Sequence, residues 1–216
     1  LVRLNTSLLL EAYRFGFFPM AEGRNEDDLV WVKPKMRGIF PLDGFHVPRS
    51  LRKTLRREPF EIAVDRDFEG VIAACAREMT GREETWINRE IERAYAELHK
   101  EGFAHSVEAY LDGELVGGLY GVSLQGAFFG ESMFSTVTDA SKVSLCHLVA
   151  RLVAGGYTLL DTQFITDHLA RFGATELPER EYQQVLSSAM AVKGDFFALP
   201  DQMSGSSIVQ LITQTS

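Results

Sequence analysis

Cysteine is scarce in this sequence, with only Cys75 and Cys146, both set in apolar stretches that read as helices. So small a supply excludes a disulfide framework and predicts two buried, reduced thiols in a cytoplasmic protein. The five histidines never fall at metal-ligand spacing and no cysteine pair forms a zinc signature, so neither a metal nor another cofactor is expected. No apolar run approaches the roughly 18 residues that a membrane span requires. The basic, apolar and small-residue order of a secretory leader is also missing, and no membrane partner is expected. Internal repeats and low-complexity linkers are absent as well. What remains is a chain of 216 residues, 45% hydrophobic and 24% charged, long enough to bury a real core unaided.

Positive charge is in deficit too, at a formal net −8, which by itself argues against nucleic-acid binding. One segment departs from the average. Arg49-Ser-Leu-Arg-Lys-Thr-Leu-Arg-Arg57 carries +5 and no acid, and removing it from the total leaves the rest of the chain at −13. On a helix Arg49, Arg52, Lys53, Arg56 and Arg57 fall at i, i+3, i+4, i+7 and i+8, a single face. Leu51 and Leu55 lie off that face and would anchor the helix. Five like charges without an interleaved acid predict an anionic partner, a phosphate backbone; the plainer alternative is a solvated face.

Along the chain, Thr6 or Ser7 is placed to cap a helix over 8–15 that Gly16 ends, and Phe17-Phe18-Pro19-Met20 turns the chain. An acidic loop follows at 22–28, with strand candidates at 29–32 and 38–42 and Pro48 in the first turn of the basic helix. From Phe60 the pattern is more regular. A strand at 60–65 precedes a helix capped by Asp67 and reaching about Met79, and a second helix covers 88–101. Strands at 104–111 and 114–124 flank Asp112-Gly113, a strong hairpin signal, and Gln125-Gly126 turns into a strand at 127–134. Asp139 is expected to cap a helix to Ala154, followed by a short buried strand at 157–161 and helices at 166–172 and 179–192.

This predicts a mixed α/β protein: a small N-terminal α/β subdomain over 1–58 ending in the basic helix, then a transfer domain over 59–216. Strand, two helices, three-stranded meander, helix, strand, helix is the order of the acyltransferase (GNAT-like) fold, with a largely antiparallel sheet flanked by helices. That order raises an alternative function, an acetyl-CoA-dependent N-acetyltransferase. Such an enzyme would grip pyrophosphate on a glycine-rich loop opening a helix. Here the corresponding loop, Phe134-Ser-Thr-Val-Thr-Asp139, has no glycine and ends in an acid, which disfavours that ligand.

Several segments together resemble the bacterial leucyl/phenylalanyl-tRNA–protein transferase family. They are Ala12-Tyr13-x-x-Gly16-x-Phe18-Pro19, Thr85-Trp86-Ile87, Ala104-His-Ser-Val-Glu108, Leu115-Val-Gly-Gly-Leu-Tyr-Gly121, Gly130-Glu-Ser-Met-Phe-Ser135, Ala140-Ser141-Lys142 and Asp161-Thr-Gln163. The resemblance runs in order from about residue 8 to 186. It departs where the family's Trp-Trp-Ser-Pro is Trp31-Val32-Lys33-Pro34, and where Asp-Cys-Gln is Asp161-Thr162-Gln163.

The resemblance implies transfer of leucine or phenylalanine from Leu-tRNA or Phe-tRNA to the N-terminal α-amine of proteins that begin with Arg or Lys, creating a degradation signal. The donor ester is already activated, so the enzyme's task is to place its carbonyl beside a free amine and steady the oxyanion. Asp161 and Gln163, at i and i+2 of a strand end, are expected to share a direction. The resemblance implies that they meet the amine, through a relay in which Gln163 takes its proton. Because an amide barely binds protons at neutral pH, the physical reading is that Gln163 orients the amine, Asp161 supplies charge and the proton leaves through the substrate or water; as an alternative the pair caps the next helix. Glu131, among apolar neighbours, is implied to hold substrate at the reaction centre, or else forms a buried salt bridge with Lys142 or Arg180. Phe128, Met133 and Leu119 are implied walls of the aminoacyl side-chain pocket, although a strand phenylalanine is by pattern more often plain core. Trp86 and Trp31, with Tyr95 and His105 as weaker candidates, are implied to meet the terminal adenosine. Arg49, Arg52, Lys53, Arg56 and Arg57 would follow the tRNA backbone, and the acidic remainder would favour a cationic acceptor.

Overall fold

The computed structural model describes residues 4–26, 28–77, 85–200 and 202–214. The chain opens with α1 (Thr6–Arg14), a short antiparallel pair β1 (Phe18–Ala21) and β2 (Leu29–Val32), then β3 (Met36–Phe40) and the basic helix α2 (Arg49–Arg57). The regular part follows: β4 (Glu61–Val64), α3 (Phe68–Cys75), α4 (Arg89–Lys100), β5 (Ala104–Leu111), β6 (Glu114–Leu124), β7 (Ala127–Ser135), α5 (Ala140–Ala154) and β8 (Leu159–Gln163). The chain ends in α6 (Asp167–Ala170), β9 (Thr175–Pro178), α7 (Glu179–Met190) and α8 (Gly205–Gln214). Among the described residues no helix is long and apolar enough to cross a membrane.

Seven strands form one sheet in the order β4-β5-β6-β7-β8-β3-β9. Every neighbouring pair is antiparallel except β7 and β8, which run parallel over Ala127↔Leu159, Phe128↔Leu160 and Phe129↔Asp161. Strand β3 belongs to the first 58 residues yet lies between β8 and β9, so both ends of the chain share this sheet. Close approach of the backbones permits it. A Cβ on Gly38 would stand 2.8 Å from Thr162 Oγ1 and 3.0 Å from the Phe164 carbonyl carbon.

Two cores result, one on each face. Tyr13, Ile72, Ile91, Tyr95 and Tyr182 fill one under α1, α3, α4 and α7; Leu51, Leu55, Leu145, Phe128 and Ile208 fill the other under α2, α5 and α8. Covering on both sides explains why β5 is buried along nearly its whole length instead of alternating. Cys75 and Cys146 are buried in α3 and α5.

Local signals act largely as the residues predict. The Asn88 side-chain oxygen accepts the Ile91 N–H and that of Asp67 the Gly70 N–H, each at 2.9 Å. Two expected caps differ. Asn5, one residue earlier than Thr6, caps α1 by accepting the Leu8 N–H. Asp139 makes no side-chain cap, because its backbone is left-handed (φ 71°) and its carboxylate accepts from Lys142 Nζ and Thr54 Oγ1 instead. Helix α3 stops at Cys75, and Met79 lies outside the described residues. Most of Phe17-Phe18-Pro19-Met20, expected as a turn, lies in strand β1 (Phe18–Ala21). Strand β9 and helix α8 were not foreseen; β9 pairs with β3, and α8, with Ile208, Leu211 and Ile212 at helical spacing, packs on α5 and α2.

Candidate active site

The parallel pairing of β7 and β8 ends at Phe129↔Asp161, and a cavity of about 230 Å³ opens there. Phe40, Leu119, Met133, Leu145, Leu148 and Leu160 supply its apolar wall. Glu131, Ser132, Thr162, Thr166 and His168 add polar groups at its edge. An apolar cavity of about 150 Å³ already holds benzene, so this one has room for a phenyl ring or an isobutyl group. Of the three residues expected to wall the side-chain pocket, Leu119 and Met133 line this cavity. Phe128 does not: it is fully buried in the second core, stacked on Phe196 at 5.6 Å, and is absent from the cavity lining. Its ring packs against Gly121, where a Cβ would stand 2.4 Å from Phe128 Cε1.

Glu131 owes its direction to a β-bulge. Tyr120 pairs with Ser132 and Gly121 with Gly130, which leaves Glu131 as the extra residue on β7, unpartnered on β6. Its carboxylate accepts Tyr13 Oη at 2.7 Å, Tyr95 Oη at 3.2 Å and Gln163 Nε2 at 3.3 Å. The two hydroxyls also hydrogen-bond each other. The alternative salt bridge is not formed, since Lys142 pairs with Asp139 across the α5 terminus. Burial pushes the Glu131 carboxyl up to about 7, against the lowering effect of both tyrosine hydrogen bonds; nearby Asp161 adds to the rise. Burial likewise holds the Tyr13 and Tyr95 hydroxyls well above the usual phenol range.

Asp161 and Gln163 are both buried at the end of β8, but their side chains have different partners. The Asp161 carboxylate accepts Arg37 Nε and Nη2, the Tyr182 hydroxyl and the Gln163 backbone N–H. It caps no helix; Thr166 caps α6. Gln163 sits at φ 57°, uncommon for a residue with a Cβ. Arg37 and Tyr182 were not foreseen as partners. A lone arginine in Met36–Phe40 carries no spacing signal, and α7 approaches β8 only in the folded chain.

The tryptophans lie beside the small hairpin. Trp31 is 39% exposed on β2, opposite Pro19, and the backbone carbonyl of half-buried Trp86 accepts the N–H of Ala21 at the end of β1. Tyr95 cannot join them as a stacking surface: it is fully buried, with its hydroxyl committed to Tyr13 and Glu131. His105 is also internal, hydrogen-bonded to Asp65 at 2.7 Å and stacked on Phe196.

On α2, Leu51 and Leu55 are buried and Arg49, Lys53, Arg56 and Arg57 are exposed; Arg52 is half-buried, its Nε donating to the Val47 carbonyl. None of the five forms an ion pair among the described residues. The α5 terminus, where coenzyme A pyrophosphate would be gripped, is already occupied. Ala140 N–H donates to Val137 O, Ser141 N–H to Ser135 Oγ, and the Asp139–Lys142 pair lies across it. Among the described residues no group of three or more His, Cys, Asp or Glu is placed to hold a metal ion.

Comparison with known proteins gives the family. Residues 39–187 match the family model described as leucyl/phenylalanyl-tRNA protein transferase, and residues 3–35 match the model of its N-terminal domain. Proteins bearing the name leucyl/phenylalanyl-tRNA–protein transferase align along nearly the whole chain. The one from Phenylobacterium zucineum is 57% identical over 96% of both chains, that from Maricaulis maris 55% over 96% of both, and that from a Ruegeria species 55% over 99% of both. With an apolar cavity beside a half-buried Glu131–Gln163 contact, and identity above half along its length, this chain belongs to the leucyl/phenylalanyl-tRNA–protein transferase family.

Proposed function

We propose that this enzyme moves leucine or phenylalanine from Leu-tRNA or Phe-tRNA to the N-terminal α-amine of cytoplasmic proteins that begin with Arg or Lys, creating a degradation signal. The observation that carries the reading is the junction of two environments at one strand fork. An apolar cavity takes the aminoacyl side chain, and the Glu131–Gln163 contact borders it where the ester carbonyl would lie. Trp31 and Trp86 take the terminal adenosine, and the unpaired cations of α2 take phosphates further along the tRNA.

The chemistry asks for placement more than activation. The amine nitrogen forms a bond to the ester carbonyl carbon, the bond from that carbon to the ribose oxygen breaks, and the amine's proton ends on the ribose oxygen. Gln163 donates its amide N–H to Glu131, so its carbonyl oxygen is the end left to accept the amine N–H. A free α-amine titrates near ~7.7–8.0, so a useful fraction attacks as the neutral form. Glu131, with a carboxyl at about 7, is suited to take the proton and return it to the leaving oxygen. The expected charge from Asp161 is less available, because Arg37 compensates it in the buried ion pair. Preference for a cationic acceptor fits the acid-rich surface outside α2.

The decisive experiment supplies the full-length protein with labelled leucyl-tRNA and a peptide beginning with Arg. Label should appear on the peptide's α-amine, and peptides beginning with Glu or Ala should stay unlabelled. Acetyl transfer from acetyl-coenzyme A without tRNA would refute the proposal.

A further inference from the structure

The Asp161 carboxylate has no acceptor capacity to spare. Its Oδ1 receives Arg37 Nε at 2.9 Å and the Gln163 N–H at 2.8 Å. Its Oδ2 receives Arg37 Nη2 at 2.8 Å, Arg37 Nε at 3.0 Å and the Tyr182 hydroxyl at 2.5 Å. An ionised carboxylate offers about four lone-pair sites, and these donors fill them.

Arg37 is equally committed. It is 1% exposed, its Nη1 donates to the Gly16 carbonyl at 2.9 Å, and its guanidinium lies 4.8 Å from the ring centres of both Phe18 and Tyr182. The α1–β1 turn, β1, β3, β8 and α7 thus meet on one planar cation. Downstream of Asp161, the left-handed Gln163 is tied by its backbone N–H to Oδ1, and its amide reaches Glu131. The side-chain oxygen of Gln163, Oε1, makes no hydrogen bond to the described residues.

We propose that Arg37 is a positioning residue for aminoacyl transfer: it neutralises Asp161 and locks that carboxylate to the Gln163 backbone, so that Gln163 meets the attacking amine. The inference rests on the reading that Gln163 faces the amine, and it assigns Asp161 a holding part with no proton transfer of its own. Lysine at position 37 would keep the charge, but one ammonium cannot reproduce the planar fork, the Gly16 contact and the stacking together.

The test uses full-length enzyme, leucyl-adenosine as donor and an Arg-initiated peptide. Arg37→Lys should lower kcat by about 100-fold through misplacement of Gln163, with KM for the donor little changed. Asp161→Asn should do the same, and the Arg37→Lys/Asp161→Asn double variant should be no worse than Asp161→Asn alone, because the two residues act as one unit. An Arg37→Lys enzyme with undiminished or raised kcat would overturn the proposal. That is the outcome required if Asp161 were the base, since a released carboxylate takes a proton more readily. If Arg37→Lys does not fold, Tyr182→Phe strips one donor from Oδ2 and leaves Arg37 in place. About a tenfold loss in kcat is then expected, and an unchanged kcat counts against the proposal. Gln163→Ala keeps the two levels apart. Full activity there refutes the reaction-centre reading itself, whereas its loss beside an unaffected Arg37→Lys refutes only the role of Arg37.

Discussion

Glu131→Gln puts the electrostatics of the site to a quantitative test. The carboxyl titrates near 4.5 in an ordinary environment and at about 7 in the folded protein, burial being the main cause. The native state therefore holds a proton on Glu131 that the unfolded chain has already lost between those two values. Because the native form binds more protons, this contribution to stability is fully present below about 4.5 and is lost as pH rises through about 7. At about 1.4 kcal/mol per pKa unit the loss comes to about 3 kcal/mol. Glutamine preserves the shape and does not ionise; Tyr13 and Tyr95 donate to different oxygens of Glu131, so its single carbonyl oxygen keeps only one of those bonds, a cost that does not vary with pH. Urea denaturation of parent and variant at a series of pH values measures it. Between pH 4.5 and pH 8 the stability difference should move by about 3 kcal/mol in favour of the variant. Subtracting the two curves cancels every other titrating group. A difference that stays constant across the range, or moves towards the parent, would refute the reasoning.

Tyr13→Phe removes the 2.7 Å hydrogen bond that lowers the Glu131 pKa. The acid limb of a single-turnover pH–rate profile should therefore move to higher pH by about one unit, and Tyr95→Phe, at 3.2 Å, should move it less. Replacing Arg52, Lys53 and Arg56 together with glutamine should reduce the slope of log affinity for tRNA against log salt by about 3, leaving leucyl-adenosine turnover intact; equal loss on both donors would make α2 purely structural. Phe128→Ala should destabilise the fold by about 3–5 kcal/mol, read by thermal unfolding, without altering the choice between leucine and phenylalanine. Met133→Ala enlarges the cavity itself and should shift that choice towards phenylalanine, as competition between the two donors would show.

What the sequence determines by itself is whatever depends on neighbours in the chain. The Asp112-Gly113 turn defines the β5–β6 hairpin, and the spacing of Leu51 and Leu55 against five cations orients α2 correctly before any tertiary contact is known. The Gly130-Glu-Ser-Met-Phe-Ser block marks the right strand for Glu131 and Met133. Pattern could not say that a bulge turns Glu131 towards two tyrosines, because the extra residue exists only relative to the register of β6. Nor could it say that Phe128 is core while Met133 lines a cavity: the bulge between them brings both to one face, and what separates them is that Phe128 packs on Phe196 whereas Met133 reaches the cavity. Asp161 and Arg37 are separated by 124 positions, and their bond forms only because Gly38 lets β3 enter the sheet beside β8. The sequence offered Asp161 no partner. The tertiary structure decided otherwise, because a charge buried on all sides survives only with a partner, and the fold brought one from the far end of the chain.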